Sequence, residues 1–579
     1  MKKYTGYIIR EPGGSADNLT AKQLAGELSV SVVIAELLMA RGIYTQQDAD
    51  SFLFPKLSNL PPALSMKGMS DAVEIMMNAV VEKTPIAVQG DYDVDGITGT
   101  SILVDFLRLL GLEVHFHLPD RMTEGYGLSR DSIERFVKKV PAPGVLITVD
   151  NGISSIEEVQ YAVELGLKVI VTDHHQPGAK LPQADALINP VQKGCAFSET
   201  NISGAGVAFF FVMAMRRELV SKGIWEKETM PNLKNYLDLV ALGTVADVMD
   251  LVHVNRILVK AGLEVISTRK RIGVKALCDC SRISDNTLRS EDISFRIAPR
   301  INAAGRLGRP EVALKLLLSK SRDKALVYAE KLEKINQKRR EIESSALVEA
   351  MKQAEEQIKS GIAGIVVHNS HWHPGVIGII ASRIVDKFGL PTFVLTDDKE
   401  ESSNIYRGSG RSVENFNLFK ALTACKKSLL QFGGHAMAAG VTLQHDRLSQ
   451  FQREFSEYVL SHSSQQESQA LAVDKRLNEK DNFRHIAQGL QLMEPFGKGN
   501  HEPVFMLKKI QIHNPQVLRE HLTFSLRMNN TTFRGIGFYM AHYFAMVSSP
   551  IDLCFKIKQS TFRGTSRVEV HAVEMFPSI

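Results

Sequence analysis

Residues 85–96 read PIAVQGDYDVDG: a short apolar run, PIAVQ (85–89), breaks at Gly90 into three carboxylates in alternation, Asp91, Asp93 and Asp95. An apolar run of this length closed by glycine reads as a buried strand. Outward from it, VHFHL (114–118), VLITV (145–149), KVIVT (168–172) and ALI (186–188) repeat the pattern, and helical stretches separate most of them. Short apolar strands alternating with helices are what the repeated βαβ units of a parallel sheet require. VLITV runs into Asp150, and KVIVT runs into Asp173, His174 and His175. In an open parallel sheet the carboxyl ends of the strands form one edge, and ligands bind in the crevice outside it. These acids and imidazoles therefore converge on one rim.

Each of them alone has a plainer explanation, since an Asp after a strand often caps the next helix and a single His is usually a satisfied polar group. Capping does not explain the set. Three carboxylates within five residues repel one another unless a cation neutralises them. Oxygen ligands joined by imidazole suit Mn²⁺ or Mg²⁺ better than a thiolate zinc site, and a mixed Asp/His set for two ions is typical of phosphoester hydrolysis. Asp247, in VALGTVADVMD (240–250), follows an apolar run of small residues. On periodicity it is equally a ligand or a helix cap.

With 579 residues the chain exceeds what one hydrophobic core can organise, and three or four domains are expected. Residues 1–70, with a short amphipathic helix and a turn-rich stretch around Pro55, Pro61 and Pro62, read as an N-terminal cap segment. The α/β catalytic domain spans 71–320. Residues 322–359 contain no Gly or Pro and place Leu332, Ile335, Ile342, Ala346 and Ala350 near helical spacing, which predicts one long helix (321–360) joining two lobes. A second α/β domain over 361–460 opens with GIAGIVVHN (361–369) and PTFVLTD (391–397), and the polar SHSSQQESQ (461–469) reads as a linker. Beyond residue 500 the period becomes two, in five runs from PVFMLKKIQI to RVEVHAVEMF. Five such strands within 470–579 suit an all-β OB-fold, a frequent platform for single-stranded nucleic acid; a β domain that only buttresses its neighbours is the alternative.

Composition narrows the class further. At 44% hydrophobic and 23% charged residues the chain is an ordinary globular one, and a net charge of +5 is too small for this length to imply a polyanion partner by itself. Five scattered cysteines, including a bare CxC at Cys278 and Cys280, argue for a reducing compartment and against both a disulfide framework and a zinc site. MKKYTGYIIREPGG at the N-terminus has no apolar core behind its lysines, and GVAFFFVMAM (206–215) is too short to span a bilayer, so a cytoplasmic protein without membrane attachment is expected.

The order GDYDVDG, VDNG, TDHH and TVADV resembles the four motifs of the DHH phosphoesterase superfamily. PDRMTEGYGLS (119–129), INAAGRLG (301–308), WHPGVIGIIASR (372–383), GSGRS (408–412), FGGHAMAAG (432–440) and EPFGKGNHEPVF (494–505) extend the likeness to its RecJ-type exonuclease family along nearly the whole chain. GGHxxAAG is similar to the signature of the DHHA1 substrate-binding domain, and the last segment to the entry of an OB domain. The resemblance implies metal ligation by Asp91, Asp93, Asp95, Asp150, His174 and Asp247, with Asp173 and His175 orienting the site or contacting the scissile phosphate. Small pyrophosphatases of the superfamily carry a His four residues before their DxD pair. With Asp93 and Asp95 as that pair the position is Gln89, which speaks against a pyrophosphatase.

For DNA, the resemblance implies that Arg121, Tyr126, Ser129 and Arg306 grip a 5′ phosphate end. Arginine offers a planar fork to phosphate oxygens, although Arg306 could equally form an interlobe salt bridge. Gly433 and Gly434 would let a nucleic-acid backbone lie close while His435 hydrogen-bonds phosphate, and His373 and Arg411 are further candidates. The activity implied is 5′ to 3′ hydrolysis of single-stranded DNA to 5′-mononucleotides in DNA repair and recombination, by a monomer working with a single-strand-binding protein and a RecQ-type helicase. The polarity comes from the resemblance alone. Two rivals remain: a DHH phosphodiesterase acting on oligoribonucleotides or cyclic dinucleotides, whose relatives generally lack the OB domain, and a non-catalytic DNA-binding scaffold, which would have lost metal ligands.

Overall fold

The computed structural model describes residues 9–10, 18–199, 201–283, 288–398, 404–462, 471–562 and 565–578. The linker expected over 461–469 lies almost wholly outside them.

The first lobe is built on strands β1 (Ile86–Gln89), β2 (Val114–His117), β3 (Val145–Val149), β4 (Lys168–Thr172) and β5 (Ala186–Ile188). They are all parallel, in the order β2-β1-β3-β4-β5. Alternation of side chains divides their apolar residues between two faces. Ile86, Val88, Ile147, Val149 and Ile170 pack beneath helices Val94–Leu109 and Gly204–Ser221, whereas Ala87, Leu146, Val169 and Val171 meet Ile133, Phe136, Val159 and Ala162 of two helices on the other face. With both faces covered, the central strands β1, β3 and β4 are largely apolar rather than alternating, while the edge strand β2, VHFH, alternates Val114 and Phe116 with half-buried histidines. The strand order reverses between β1 and β3, which opens a crevice at their carboxyl ends.

Helix Arg322–Lys359 runs unbroken for 38 residues from its N-cap Ser321. Its buried positions change partner along its length: Ala325, Ala329 and Leu332 join the first lobe's core, and Ala346, Ala350 and Ala354 join the second's. The second lobe holds β6 (Ile365–His368), β7 (Thr392–Asp397), β8 (Ile405–Arg411), β9 (Gln431–Gly434) and β10 (Ala438–Gln444), in the order β9-β10-β8-β7-β6. Only β6 and β7 pair in parallel. The last three strands escape the sequence reading because IYRGSGR, QFGG and AAGVTLQ are rich in glycine and alanine, which carry weak strand signals.

The C-terminal module forms a seven-stranded sheet, β11-β12-β16-β17-β15-β14-β13, from β11 (Lys475–Arg476), β12 (Phe505–Ile510), β13 (His513–Leu518), β14 (His521–Met528), β15 (Thr531–Gly537), β16 (Ile551–Phe562) and β17 (Thr565–Pro577). Beyond the five runs legible in sequence it gains the two-residue β11 and the HNPQVL strand β13, whose Asn and Pro disfavour strand.

The N-terminal helices Val32–Met39 and Gln46–Leu53 are part of this module's core: Ile34, Leu37, Leu38 and Leu53 pack with Phe483, Ile486, Leu490 and Phe505. Removing residues 470–579 would therefore unpack residues 32–53 as well, and point substitutions on the module's surface test its role more cleanly. Arg256, only 2% exposed, joins the module to the first lobe. It stacks 3.8 Å from the Phe52 ring centroid and donates to the carbonyl oxygens of Phe52, Glu494, Leu492 and Pro495 at 2.7–3.4 Å. An Arg256→Met substitution would leave the carbonyl oxygens of Phe52 and Glu494 without a donor, whereas those of Leu492 and Pro495 keep Lys260 Nζ and Asn500 Nδ2. At roughly 1–3 kcal/mol for each of these two unsatisfied groups, a loss of at least ~2 kcal/mol in unfolding free energy is expected in chemical denaturation.

Candidate active site

The crevice at the β1/β3 switch point collects the acids. Asp91 follows β1 and Asp150 follows β3, the latter at φ 64, a left-handed conformation that turns the chain sharply at the sheet edge. Asp93 caps helix Val94–Leu109, accepting from Gly96 N at 3.0 Å. Asp95 is gripped by the N-terminus of helix Gly204–Ser221, its two oxygens accepting from Gly204 N at 2.5 Å and Ala205 N at 3.0 Å. Helix N–H groups suit a carboxylate. The close fit needs glycine: a Cβ on Gly204 would lie 2.6 Å from the Cβ of Asp150, and one on Gly243 would strike Asp95. The sequence signal for this support is SGAG (203–206), which strand-end reasoning passes over.

His174 reaches into the same space. Its Nε2 lies 2.9 Å from Asp150 Oδ1 and 3.7 Å from both Asp95 Oδ2 and Asp247 Oδ2. Asp247 is the C-cap residue of helix Leu237–Ala246, yet its side chain enters the cluster, so cap and cluster member are one residue. Asp173 stands apart in role. Its oxygens accept from Ile153 N, His174 N, His175 N and His175 Nδ1 at 2.7–3.1 Å, which leaves it orienting the histidines rather than facing the crevice.

The donor set fits divalent cations. Ligand atoms of Asp91, Asp93 and Asp150, of Asp95, His174 and Asp247, and of Asp150, His174 and His175 form three groups, each within 4.8 Å. Asp91 Oδ1 is buried without a hydrogen-bond partner, and Asp150 Oδ1 and His174 Nε2, buried and 2.9 Å apart, are not aligned to hydrogen-bond each other. Burying such atoms unsatisfied is costly, and a bound cation removes the cost. Burial, reinforced by the neighbouring carboxylates, raises the Asp91 and Asp150 carboxyls well above their ordinary range and pushes Asp247 up to about 8.

These shifts have a sign. The folded chain keeps protons on carboxyls that the unfolded chain releases near their ordinary value of 3.8, so the metal-free protein loses stability as pH rises from about 4 toward 8. Cation binding requires the same groups ionised. Mn²⁺ at 100 times its dissociation constant is expected to stabilise the fold by about 2.7 kcal/mol. The rise in melting temperature on adding a fixed Mn²⁺ concentration should be larger at pH 8 than at pH 6, as measured by differential scanning fluorimetry.

The residues expected to hold phosphate fall into two groups. Arg121, Arg306 and Arg411 converge between the lobes. Arg121 lies 5.5 Å from the Tyr92 ring centroid, and Arg306 donates to the Gly375 carbonyl oxygen of the second lobe at 3.2 Å, an interlobe hydrogen bond where the sequence also allowed a salt bridge. Burial, with Arg121, Arg339 and Arg411 close by, pushes the Arg306 guanidinium down to about 10. Arg339, on the long helix, was not apparent from sequence because its motif context is an ordinary charged helix face. Tyr126 connects this group to the acids: its hydroxyl donates to Asp150 O at 3.0 Å, and its ring meets Tyr92 and His175 edge-on at 6.3 and 6.0 Å.

The second group sits differently. Ser129 and His373 are helix N-caps, accepting from Ser132 N and Gly375 N, and Arg411 also donates to Ser409 Oγ and Gly410 O. Gly433, Gly434 and His435 lie exposed at the end of the β9–β10 hairpin, with Gly434 at φ +135 against the Ala438 carbonyl.

A doubly covered parallel sheet with a carboxylate–imidazole cluster at its switch point, fit for divalent cations, defines a metal-dependent phosphoesterase of the DHH class, a hydrolase of phosphodiester bonds. Comparisons with known proteins agree: residues 85–244 match the DHH family, N-terminal domain, residues 359–461 the DHHA1 domain and residues 473–574 the RecJ OB domain. The chain is 34% identical over 561 residues to the single-stranded-DNA-specific exonuclease RecJ of Salmonella typhimurium, covering 94% of this chain and 96% of that one. It is 33% identical to the Bacillus subtilis protein of that name, and spans 65% of that relative's length. The crystal structure of Thermus thermophilus RecJ in complex with Mn²⁺ superposes with a TM-score of 0.82 at 29% identity, over 98% of this chain and 79% of that one; a complex of the same protein with Mg²⁺ gives 0.75. The chain belongs to the RecJ family.

Proposed function

We propose that this protein hydrolyses single-stranded DNA from its 5′ end, releasing 5′-mononucleotides, in DNA repair and recombination. The observation that carries this reading is the adjacency of two sites: a buried acid–imidazole cluster with unpartnered ligand atoms, and a group of half-buried arginines linked to it through Tyr126. Asp91, Asp93, Asp95, Asp150, His174 and Asp247 would hold one or two Mn²⁺ or Mg²⁺ ions. Bound there, such cations supply Lewis-acid activation of the attacking water and of the phosphoryl oxygens.

The chain's own residues set the geometry. The helix N-terminus at Gly204 and Ala205 fixes the Asp95 carboxylate, and Asp173 fixes the His175 ring. Roughly half exposed, His175 faces the crevice mouth, where it would contact the scissile phosphate. Arg121, Arg306 and Arg411 would take the terminal phosphate, and the exposed Gly433–His435 tip would approach the backbone. Asp173→Asn is expected to lower kcat by roughly 10- to 100-fold, the usual cost of losing an orienting group, while Mn²⁺ still raises the melting temperature.

No helix among the described residues is long and apolar enough to cross a membrane. Likeness to the family supports a cytoplasmic monomer that works with a single-strand-binding protein and a RecQ-type helicase. Substrate selection tests the reading. With Mn²⁺, a single-stranded 20-nucleotide DNA should be degraded far faster than the same sequence in blunt duplex or than a cyclic dinucleotide. Preference for the cyclic dinucleotide would move the protein to another branch of the DHH phosphodiesterases.

A further inference from the structure

Beside Asp247 of the acid–imidazole cluster, the first lobe and the C-terminal module line an open cleft of about 280 Å³. Val248, Phe295, Phe496, Lys498, His501 and Lys556 line it. Val248 directly follows Asp247 and is held at φ 56, a conformation a β-branched residue rarely adopts, with 61% of its surface exposed. Phe295 is 76% exposed. It lies in a five-residue π-helical turn, Ile293–Ile297, whose neighbours Ile293 and Ile297 are fully buried, so the backbone is anchored while the ring is presented. Single π turns often mark functional positions.

The cleft continues onto the outer face of the module's sheet. Lys556, at its wall, pairs across strands with His571. His571 lies 5.6 Å from the ring of Phe538, and His521 packs against both Phe538 and Tyr539 at 5.5 and 5.0 Å. Phe538 and Tyr539 are 51% and 70% exposed. The charges along this route are balanced: Lys556 and Lys558 pair with Glu502 and Glu291, and Lys498 with Asp250. A bare phosphate-attracting surface would leave its lysines free. Exposed rings on anchored backbone beside neutralised charges instead suit the faces of nucleobases, which stack regardless of sequence.

We propose that Phe295, which lines the cleft with Val248, is a base-stacking residue for the DNA strand on the far side of the scissile bond from the arginine-held end, and that it passes the strand from the metal centre to the Phe538/Tyr539 face. The proposal rests on the exonuclease reading for its direction but not for its binding test. That test measures fluorescence anisotropy of 3′-labelled 20-nucleotide and 4-nucleotide DNA with wild-type protein, Phe295→Ala and Phe295→Trp. The 20-nucleotide strand's affinity advantage over the 4-nucleotide one is expected to fall about tenfold in Phe295→Ala, within the range for loss of one stacked base, and to return in Phe295→Trp. The fall should be nearly independent of salt, because no ion pair is lost. An unchanged advantage in Phe295→Ala, or equal weakening of both lengths, would overturn the proposal. If the wild-type protein binds DNA but does not cut it with Mn²⁺, the exonuclease reading fails, while the comparison of the two variants still decides whether Phe295 stacks.

Discussion

Replacing His174 with alanine is expected to lower kcat on single-stranded DNA by at least about 10³-fold while changing DNA affinity less than about threefold. The size follows from position. His174 Nε2 lies within 3.7 Å of carboxylates from three separate elements, Asp95, Asp150 and Asp247, so one truncation loosens every part of the cluster that would hold cations. Preorganised charge at a reacting phosphate is usually the largest single contribution to catalysis, and it vanishes when its support does. Asp95→Ala should behave alike, since its carboxylate ties the cluster to the helix at Gly204. Binding survives because the arginines and the module's surface are untouched. Single-turnover kinetics with saturating enzyme, set against anisotropy titrations, separates the two quantities. Near wild-type turnover in either variant would remove the ligand assignment.

Arg306→Ala should act on the other half of the site. The guanidinium is half-buried, donates to Gly375 O across the lobes and sits among Arg121, Arg339 and Arg411 with its charge disfavoured. A terminal phosphate would relieve that repulsion and receive a desolvated bidentate contact, of a kind that costs about 2–5 kcal/mol to truncate. A fall of roughly 30- to 1000-fold in kcat/KM is therefore expected for 5′-phosphorylated DNA. A much smaller fall is expected for the same strand carrying a 5′-hydroxyl. Arg306→Lys should not restore the difference, because a lysine cannot reproduce the planar fork. Equal losses on both substrates would assign Arg306 to holding the lobes together.

The first lobe and its acids were legible because a parallel sheet buried on both faces writes uninterrupted apolar runs, and the chemistry sits where those runs stop. Asp91, Asp150 and His174 follow from that rule alone. Less was legible where side-chain pattern and backbone role part company. Ser129 and His373 lie in motif-like segments, yet each also caps a helix, and no spacing rule distinguishes a cap from a phosphate contact. Strands β8 to β10 are hidden by glycines that let the hairpin pack closely. The partnership of helix Val32–Met39 with the C-terminal module joins residues more than 400 positions apart, and an amphipathic helix does not declare which core it will enter. Phe295 stands in ISFRI, which carries no motif, and only the structure shows that its ring faces outward beside the cluster.

The most direct test of the central claim is degradation of a long single-stranded DNA labelled at its 5′ or its 3′ end, with Mn²⁺, with Mg²⁺ and with EDTA. Labelled mononucleotide should appear first from the 5′ label, with either cation and not with EDTA. Release first from the 3′ label would contradict the polarity, and DNA bound but left intact in the presence of Mn²⁺ would contradict the enzymatic account itself.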